Sequence, residues 1–152
     1  MRQKAVIIDI DGTLANSQNP LVFTNSKGET DWPAWIASTA HAPVNEWCKQ
    51  LTVAMYRQGY RLIFLTARGE HLNGRALTKN WLNNTLNIEG IFEYELLMRP
   101  EGDLRPDIDL KLTIYSTLIA PNFDVAFAVD DKQSVVDLWR NLGLPALHCA
   151  DY

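Results

Sequence analysis

Two kinds of apolar pattern alternate along the chain. Short apolar runs rich in Val, Ile, Leu and Phe predict buried strands at residues 6–9, 61–66, 94–98, 125–129 and 146–149. Between these runs, apolar residues recur every three or four positions and predict helices at residues 31–39, 44–55, 70–86, 106–118 and 134–142. Strands that alternate with helices indicate an α/β fold with a doubly wound parallel sheet, a Rossmann-like arrangement of three layers.

Two helices carry further signals. Asp31 and Pro33 are typical of a helix start, and Gly59 is typical of a helix stop. In the helix opened by Pro106, one buried face is predicted from three apolar residues spaced four apart, Leu110, Ile114 and Leu118.

A polar segment at residues 16–30 separates the first strand from the first helix. A loop of this length is often functional. Trp32 and Trp35 follow it, three positions apart on one helix face. Such a pair fits a core stripe, and it also fits a platform on which nucleic-acid bases stack. We favour the core stripe.

The composition is that of an ordinary globular protein, and 152 residues predict a single domain over 1–152. The net charge of −4 argues against a broad surface that coats duplex nucleic acid, although a small site that grips one strand end remains compatible with it. Cys48 and Cys149 lie far apart without CxxC spacing, so we expect no zinc cluster and a reducing compartment, the cytoplasm. No apolar run has the length of a signal-peptide core or of a membrane span.

Charged and polar residues follow four of the predicted strands. Because ligands bind outside the carboxyl ends of parallel strands, these residues are expected to share one rim. Gly12 permits a sharp turn directly after two carboxylates. The residues that we expect at the rim are Asp9, Asp11, Thr66, Arg68, Arg99, Asp107, Lys111, Asp130, Asp131 and Lys132. Such a co-location is stronger evidence for a site than any single motif.

This set of residue types fits phosphoryl transfer. Mg²⁺ prefers oxygen ligands, and Asp9 and Asp130 offer carboxylates for it. A carboxylate nucleophile would give an aspartyl-phosphate intermediate, while Asp11 would protonate the leaving group and later activate water. Lys111 would place a compact positive charge on the phosphoryl group, and Thr66 would hydrogen-bond another of its oxygens.

The motifs resemble those of a known superfamily. Asp9-x-Asp11-Gly12-Thr13, Thr66, Lys111 and the Asp130-Asp131 pair are similar, in this order, to the four motifs of the haloacid dehalogenase (HAD) superfamily of phosphatases. The resemblance implies a HAD-like fold with Asp9 as nucleophile and Asp11 as general acid and base. It also implies Mg²⁺ held by Asp9, the Asp11 carbonyl oxygen and the Asp130/Asp131 pair.

A closer resemblance concerns the phosphatase domain of phage-type polynucleotide kinase/3′-phosphatases. The similar stretches are residues 120–125, 130–132 and 135–140, together with Arg68 and Asp107. We therefore expect a substrate-binding set made of Gly12, Thr66, Ala67, Arg68, Asp107 and Lys111. There are two departures. The segment 17–30 offers Lys27 where that domain has a functional arginine, and GxxxxGK[ST] does not occur, which implies a phosphatase without the kinase half.

Blander interpretations of three residues stay open. Lys111 also fits a lysine on a helix surface, Arg68 a charge that balances nearby acid, and Asp107 a helix cap. His41, His71 and His148 show no pairing pattern and receive no role.

The sequence leaves several functions in competition. The leading hypothesis is a Mg²⁺-dependent phosphomonoesterase that acts on nucleic-acid 3′ ends. The intervening segments are too short for a large cap domain, and an open site favours a polymer end over a small enclosed molecule. A nucleotidase for free nucleoside monophosphates is the enzyme alternative. A phospho-accepting receiver-like domain and a catalytically silent binding domain are the alternatives of other classes. We expect a phosphorylated nucleic-acid end or nucleotide as partner, with no membrane and no obligate protein partner.

Overall fold

The computed structural model describes residues 1–90 and 92–150, and within these residues five parallel strands form one sheet. The strands are β1 (Gln3–Ile8), β2 (Arg61–Gly69), β3 (Tyr94–Arg99), β4 (Phe123–Asp130) and β5 (Ala146–His148). The helices are α1 (Trp32–Thr39), α2 (Glu46–Arg57), α3 (Gly74–Leu86), α4 (Asp107–Ile114) and α5 (Gln133–Asn141). A 3₁₀ turn at Pro20–Phe23 precedes α1, and a π-helical turn at Tyr115–Ile119 follows α4.

The strand order is β3-β2-β1-β4-β5, with parallel pairing throughout. The chain builds outward from β1 on one side through β2 and β3, and then returns to place β4 and β5 on the other side. The order therefore reverses between β1 and β4. In open α/β sheets, ligands bind in the crevice at such a reversal, outside the carboxyl ends of the strands.

Alternate residues of the central strand β1 belong to two hydrophobic cores, one on each face of the sheet. Val6 and Ile8 pack on one face of the sheet with Trp81 and Leu82 of α3, whereas Ile7 packs on the other face with residues of α4 and α5. This is the period of two that a strand buried on both faces requires. The predicted α/β fold with a doubly wound parallel sheet in three layers is confirmed.

The predicted buried face of α4 is wrong at its last position. Leu110 and Ile114 are buried, but Leu118 is 49% exposed, and Ile119 takes the buried position instead. The reason is the π-helical turn, because a turn closed by i→i+5 bonds advances the buried face by one residue.

The end of β2 also differs from the prediction. Instead of ending at Thr66, the strand continues to Gly69 after a register shift, where it pairs with Arg99. Helix α3 then begins at Gly74, four residues later than predicted, and Leu72 has a φ of 51° and is exposed. Gly74 lies so close to the strand end that an added Cβ would stand 2.3 Å from the Gly69 carbonyl oxygen.

The first two helices confirm most of their predicted signals. Asp31 caps α1, where its carboxylate accepts a hydrogen bond from the Ala34 backbone N–H, and Gly59 follows α2 with a φ of 86°. The predicted core stripe of two tryptophans is half wrong, since Trp35 is buried but Trp32 is 50% exposed. Within residues 1–90 and 92–150, no helix combines the length and the apolar character needed to cross a membrane.

Candidate active site

The loop after β1 brings two carboxylates to the reversal point of the sheet. Asp9 directly follows the last residue of β1, and its backbone N–H donates to the Val129 carbonyl of β4 at 3.1 Å. Gly12 has a φ of 80°, and an added Cβ would stand 2.4 Å from an oxygen of Asp131. The loop therefore requires glycine here, both for its backbone conformation and for the close approach of the second acidic segment.

A buried charge cluster forms the floor of the site. The Lys111 ammonium donates to Asp9 Oδ1 at 2.9 Å and to Asp130 Oδ2 at 2.6 Å. Carboxylate oxygens of Asp9, Asp130 and Asp131 lie within 4.8 Å of one another. We call these four residues the floor cluster. Their positions exclude the interpretation of Lys111 as a surface lysine, because it is only 3% exposed.

The floor cluster carries an excess of negative charge. Three carboxylates face one ammonium group among its four residues. Burial raises the pKa of Asp9 well above its usual range, and the charges of Asp130 and Asp131 add to this effect while Lys111 opposes it. The pKa of Asp131 is raised as well, by burial and by Asp130. Burial alone would lower the pKa of Lys111, but Asp9 and Asp130 outweigh it, so that pKa is raised.

This arrangement fits a magnesium ion. If all three carboxylates ionise, the surplus of two negative charges equals the charge of a divalent cation. All of the donors are hard carboxylate oxygens, which Mg²⁺ prefers over softer ligands. A cation held among Asp9, Asp130 and Asp131 would relieve the repulsion that contributes to the raised pKa values of Asp9 and Asp131.

Asp11 sits beside the floor cluster in a separate ion pair. Arg68 grips it with two nitrogens, Nη2 to Oδ1 at 2.6 Å and Nε to Oδ2 at 3.1 Å. The third arm of the guanidinium donates to Thr78 Oγ1 at 3.0 Å, and the Arg68 side chain is fully buried. The Ser17 hydroxyl donates to Asp11 Oδ1 at 2.5 Å. Asp11 is thus held by two nitrogens of the Arg68 guanidinium and by the Ser17 hydroxyl. Arg68 therefore does balance the charge of a nearby acid.

The end of β2 supplies two further predicted residues. Thr66 is buried, and its hydroxyl oxygen accepts a hydrogen bond from the Arg68 backbone N–H at 3.1 Å. The Ala67 carbonyl accepts a hydrogen bond from Arg99 Nε at 3.0 Å. The buried Thr13 hydroxyl donates to Asp9 Oδ2 at 3.1 Å.

Asp107 ties three segments together at one side of the cleft. It accepts a hydrogen bond from Arg99 at 2.8 Å and another from the Lys132 ammonium. Burial opposes its ionisation, but Lys132 and Arg99 outweigh that effect and lower its pKa. Pro106 precedes α4 as the cap residue, so the interpretation of Asp107 as a cap is wrong. Arg99 has a structural role, since it also donates hydrogen bonds to the backbone carbonyl oxygens of Asp103 and Arg105.

An open cavity of about 960 Å³ lies at this site. The lining includes every predicted site residue: Asp9, Asp11, Gly12, Thr66, Ala67, Arg68, Asp107, Lys111, Asp130 and Asp131. Sequence reasoning missed Ser17 and did not place Trp32 and Trp35 here. A polar residue in a long loop has no periodicity to mark it, and the tryptophan spacing alone indicated a core face. Lys27 lies outside this lining and is exposed.

The fold and the cleft define a class of protein. A carboxylate loop after the central strand, a threonine on the next strand, a lysine from α4 and an acidic pair after β4 form the arrangement of a HAD phosphatase, a phosphoric monoester hydrolase. Residues 3–152 match the family model of the polynucleotide kinase PNKP phosphatase domain, and the chain belongs to that family.

Known relatives support this membership. A protein of Autographa californica nuclear polyhedrosis virus, named as a candidate bifunctional polynucleotide kinase/RNA ligase, is 28% identical over 98% of this chain. A chain of the Pnkp1/Rnl/Hen1 RNA repair complex is 28% identical over 97% of this chain, with a TM-score of 0.74. The chain spans 20% of the length of the viral relative and 42% of the solved one.

A more distant structure shares the fold alone. A class C acid phosphatase from Bacillus anthracis, solved with tungstate bound, is 14% identical over 97% of this chain and 66% of its own length, with a TM-score of 0.66.

Proposed function

We propose that this protein is a Mg²⁺-dependent phosphomonoesterase that removes 3′-phosphates from nucleic-acid ends through an aspartyl-phosphate on Asp9. The observation that carries the proposal is the floor cluster beside the separately held Asp11. One carboxylate among buried like charges with a lysine contact suits a nucleophile, and a second one outside that cluster suits proton transfer.

The first step transfers the phosphoryl group to the enzyme. An oxygen of Asp9 attacks phosphorus, the bond from phosphorus to the sugar oxygen breaks, and Asp11 gives its proton to that oxygen. The Lys111 ammonium and the Thr66 hydroxyl stabilise the charge on the other phosphoryl oxygens. Bound Mg²⁺, held by Asp9, Asp130 and Asp131 together with the Asp11 carbonyl oxygen, would lower the repulsion between the incoming phosphate and the carboxylates.

Arg68 links substrate binding to the contact that holds Asp11. The fork that grips Asp11 matches a phosphate as well as a carboxylate. An arriving phosphate competes with Asp11 for this guanidinium, which frees the Asp11 carboxyl group to act on the leaving-group oxygen.

The second step releases phosphate. Asp11, now ionised, takes a proton from a water molecule whose oxygen attacks the phosphorus of the aspartyl-phosphate. The bond between phosphorus and the Asp9 oxygen breaks, which restores the Asp9 carboxylate. The Ser17 hydroxyl holds Asp11 in place between the two steps.

Family membership and the open cleft support a polynucleotide end as substrate. Relatives named for polynucleotide kinase and RNA repair point in the same direction. Asp9 and Asp11, both present in the cleft, count against a silent binding domain, and the order of the motifs counts against a receiver-like domain. Within this proposal, residues 1–152 act as one phosphatase domain, and the free thiols of Cys48 and Cys149 fit the cytoplasm.

A substrate profile tests this proposal. Purified protein with Mg²⁺ is offered a 3′-phosphorylated oligonucleotide, its 5′-phosphorylated counterpart, and free nucleoside 3′- and 5′-monophosphates. We expect kcat/KM to be highest for the 3′-phosphorylated oligonucleotide, followed by the 3′-monophosphate. A profile in which free 5′-monophosphates are best would replace the proposal with a nucleotidase.

A further inference from the structure

The Trp32 indole is an exposed aromatic group inside the catalytic cleft. It is 50% exposed, yet it lines the same cavity as Asp9 and Asp11. Leu104, which is 94% exposed, contributes an apolar side chain to the same cavity from a different loop. A scattered apolar residue on a surface needs no explanation, but two that line a phosphatase cleft offer an apolar contact next to a charged floor.

A row of side-chain contacts connects Trp32 to Asp11. The guanidinium carbon of Arg68, the partner of Asp11, lies 6.0 Å from the centroid of the Trp35 ring. The Trp35 centroid lies in turn 5.9 Å from that of Trp32, with the rings at 89°. Trp32 is therefore two ring contacts away from Arg68, the residue that holds Asp11, and it lines the same cavity as Asp9.

The backbone at Trp32 belongs to a capped helix start. Trp32 is the first residue of α1, next to the Asp31 cap and to Pro33 in the first turn. Its edge-on neighbour Trp35 is buried and donates from Nε1 to the Gln18 carbonyl at 2.9 Å. A rigid aromatic side chain gives contact area at little cost in conformational entropy.

We propose that Trp32 stacks on the base of the nucleotide that carries the scissile phosphate, and that it selects nucleotides over other phosphate esters. This inference rests on the proposed phosphatase reaction and adds a recognition site to it. The indole offers a π face, which every nucleobase matches, so the site accepts all four bases with similar efficiency. Selection at Trp32 thus concerns the presence of a base rather than its identity.

The test compares substrates that differ only by the terminal base. One 3′-phosphorylated oligonucleotide carries a normal 3′-terminal nucleotide, and its partner carries an abasic one. We expect Trp32→Ala to lower kcat/KM roughly 5- to 100-fold for the normal oligonucleotide and to leave the abasic one nearly unchanged. Trp32→Phe should restore most of the loss. Trp47, which is 47% exposed and lies outside this lining, provides the matched control Trp47→Ala.

A binding measurement makes the test independent of turnover. Titration of the wild type with a nucleoside 3′-monophosphate should quench the part of the tryptophan fluorescence that comes from Trp32. The same titration of Trp32→Phe should lack this quenching, and an abasic sugar phosphate should not quench the wild type. Equal losses of Trp32→Ala on both oligonucleotides, or identical quenching in wild type and Trp32→Phe, would overturn the stacking site. If the wild type instead prefers free 5′-monophosphates, the 3′-end function fails while the same quenching comparison still decides the role of Trp32.

Discussion

The floor and the outer wall of the cleft are built in opposite ways. Asp9, Lys111 and Asp130 are at most 6% exposed, and each is held by a charged neighbour or by a strand end. The outer wall comes from the segment between β1 and α1, from the first residue of α1 and from the loop after β3, and it exposes Trp32 and Leu104. Buried, mutually fixed charges suit the reaction at phosphorus, whereas exposed groups at the entrance suit selection of the molecule that carries the phosphate. Mutations on the floor should therefore affect the reaction at phosphorus, and mutations in the outer wall should affect the selection of substrate.

The largest effect is expected on the floor, for Asp9→Asn. The amide keeps the shape of the carboxylate but is a poor nucleophile, so activity should fall by roughly 10⁴-fold or more for every phosphate ester. Kinetics with p-nitrophenyl phosphate and with a 3′-phosphorylated oligonucleotide measure this loss, and circular dichroism checks the fold. Substantial activity in the folded variant, above a contamination control, would remove Asp9 from the nucleophile role.

Arg68→Lys tests the link between the floor and the entrance. Lysine keeps the charge but cannot form the two-pronged contact with Asp11. We expect kcat/KM to fall about 10²-fold for alkyl phosphates and less for p-nitrophenyl phosphate, whose leaving group needs no proton. Combined with Asp11→Asn, the loss should be less than the product of the two single losses, because both changes disable one unit. Equal effects on both leaving groups would make Arg68 a phosphate ligand alone.

The location of the floor could be predicted from the sequence, and most of the outer wall could not. Parallel strands end at one edge, so Asp9, Thr66 and Asp130 had to meet there once the strands were recognised. Ser17 and Trp32 reach the cleft through the tertiary path of a long segment, which no local pattern encodes. The π-helical turn at Tyr115–Ile119 was not predicted for a related reason. A change from 3.6-residue periodicity depends on packing rather than on local residue preference.

Asp131→Asn tests whether the floor is strained without metal. Burial and Asp130 raise the pKa of Asp131, so the folded state binds its proton more tightly than the unfolded state does. Without metal, the wild type therefore loses stability as pH rises from the ordinary carboxyl pKa of about 4 through the raised value. The variant cannot ionise there, and we expect its Tm at pH 7 without metal to be higher by about 2 to 4 °C.

Mg²⁺ should reverse that ranking. Millimolar Mg²⁺ should raise the Tm of the wild type by binding the native state, and it should raise the Tm of Asp131→Asn less. Thermal melts at several pH values, with Mg²⁺ and with EDTA, give both comparisons. A wild-type Tm that does not change with Mg²⁺ would contradict the metal site. An Asp131→Asn variant that is less stable than the wild type without metal would contradict the surplus of negative charge.

The smallest effect is expected at the entrance, for Arg105→Ala. Arg105 lines the cleft, but its guanidinium is paired with Asp103, whose pKa it lowers to about 2. A phosphate must compete with that carboxylate, so we expect only about a threefold loss in kcat/KM for 3′-phosphorylated oligonucleotides and none for a nucleoside 3′-monophosphate. In a plot of log affinity against log salt concentration, the slope for Arg105→Ala should fall by roughly the amount that one phosphate contact contributes. Arg57→Ala, an exposed arginine on α2 outside the lining, is the matched control. A uniform loss on all substrates would place Arg105 with the floor and would blur the separation between reaction and selection.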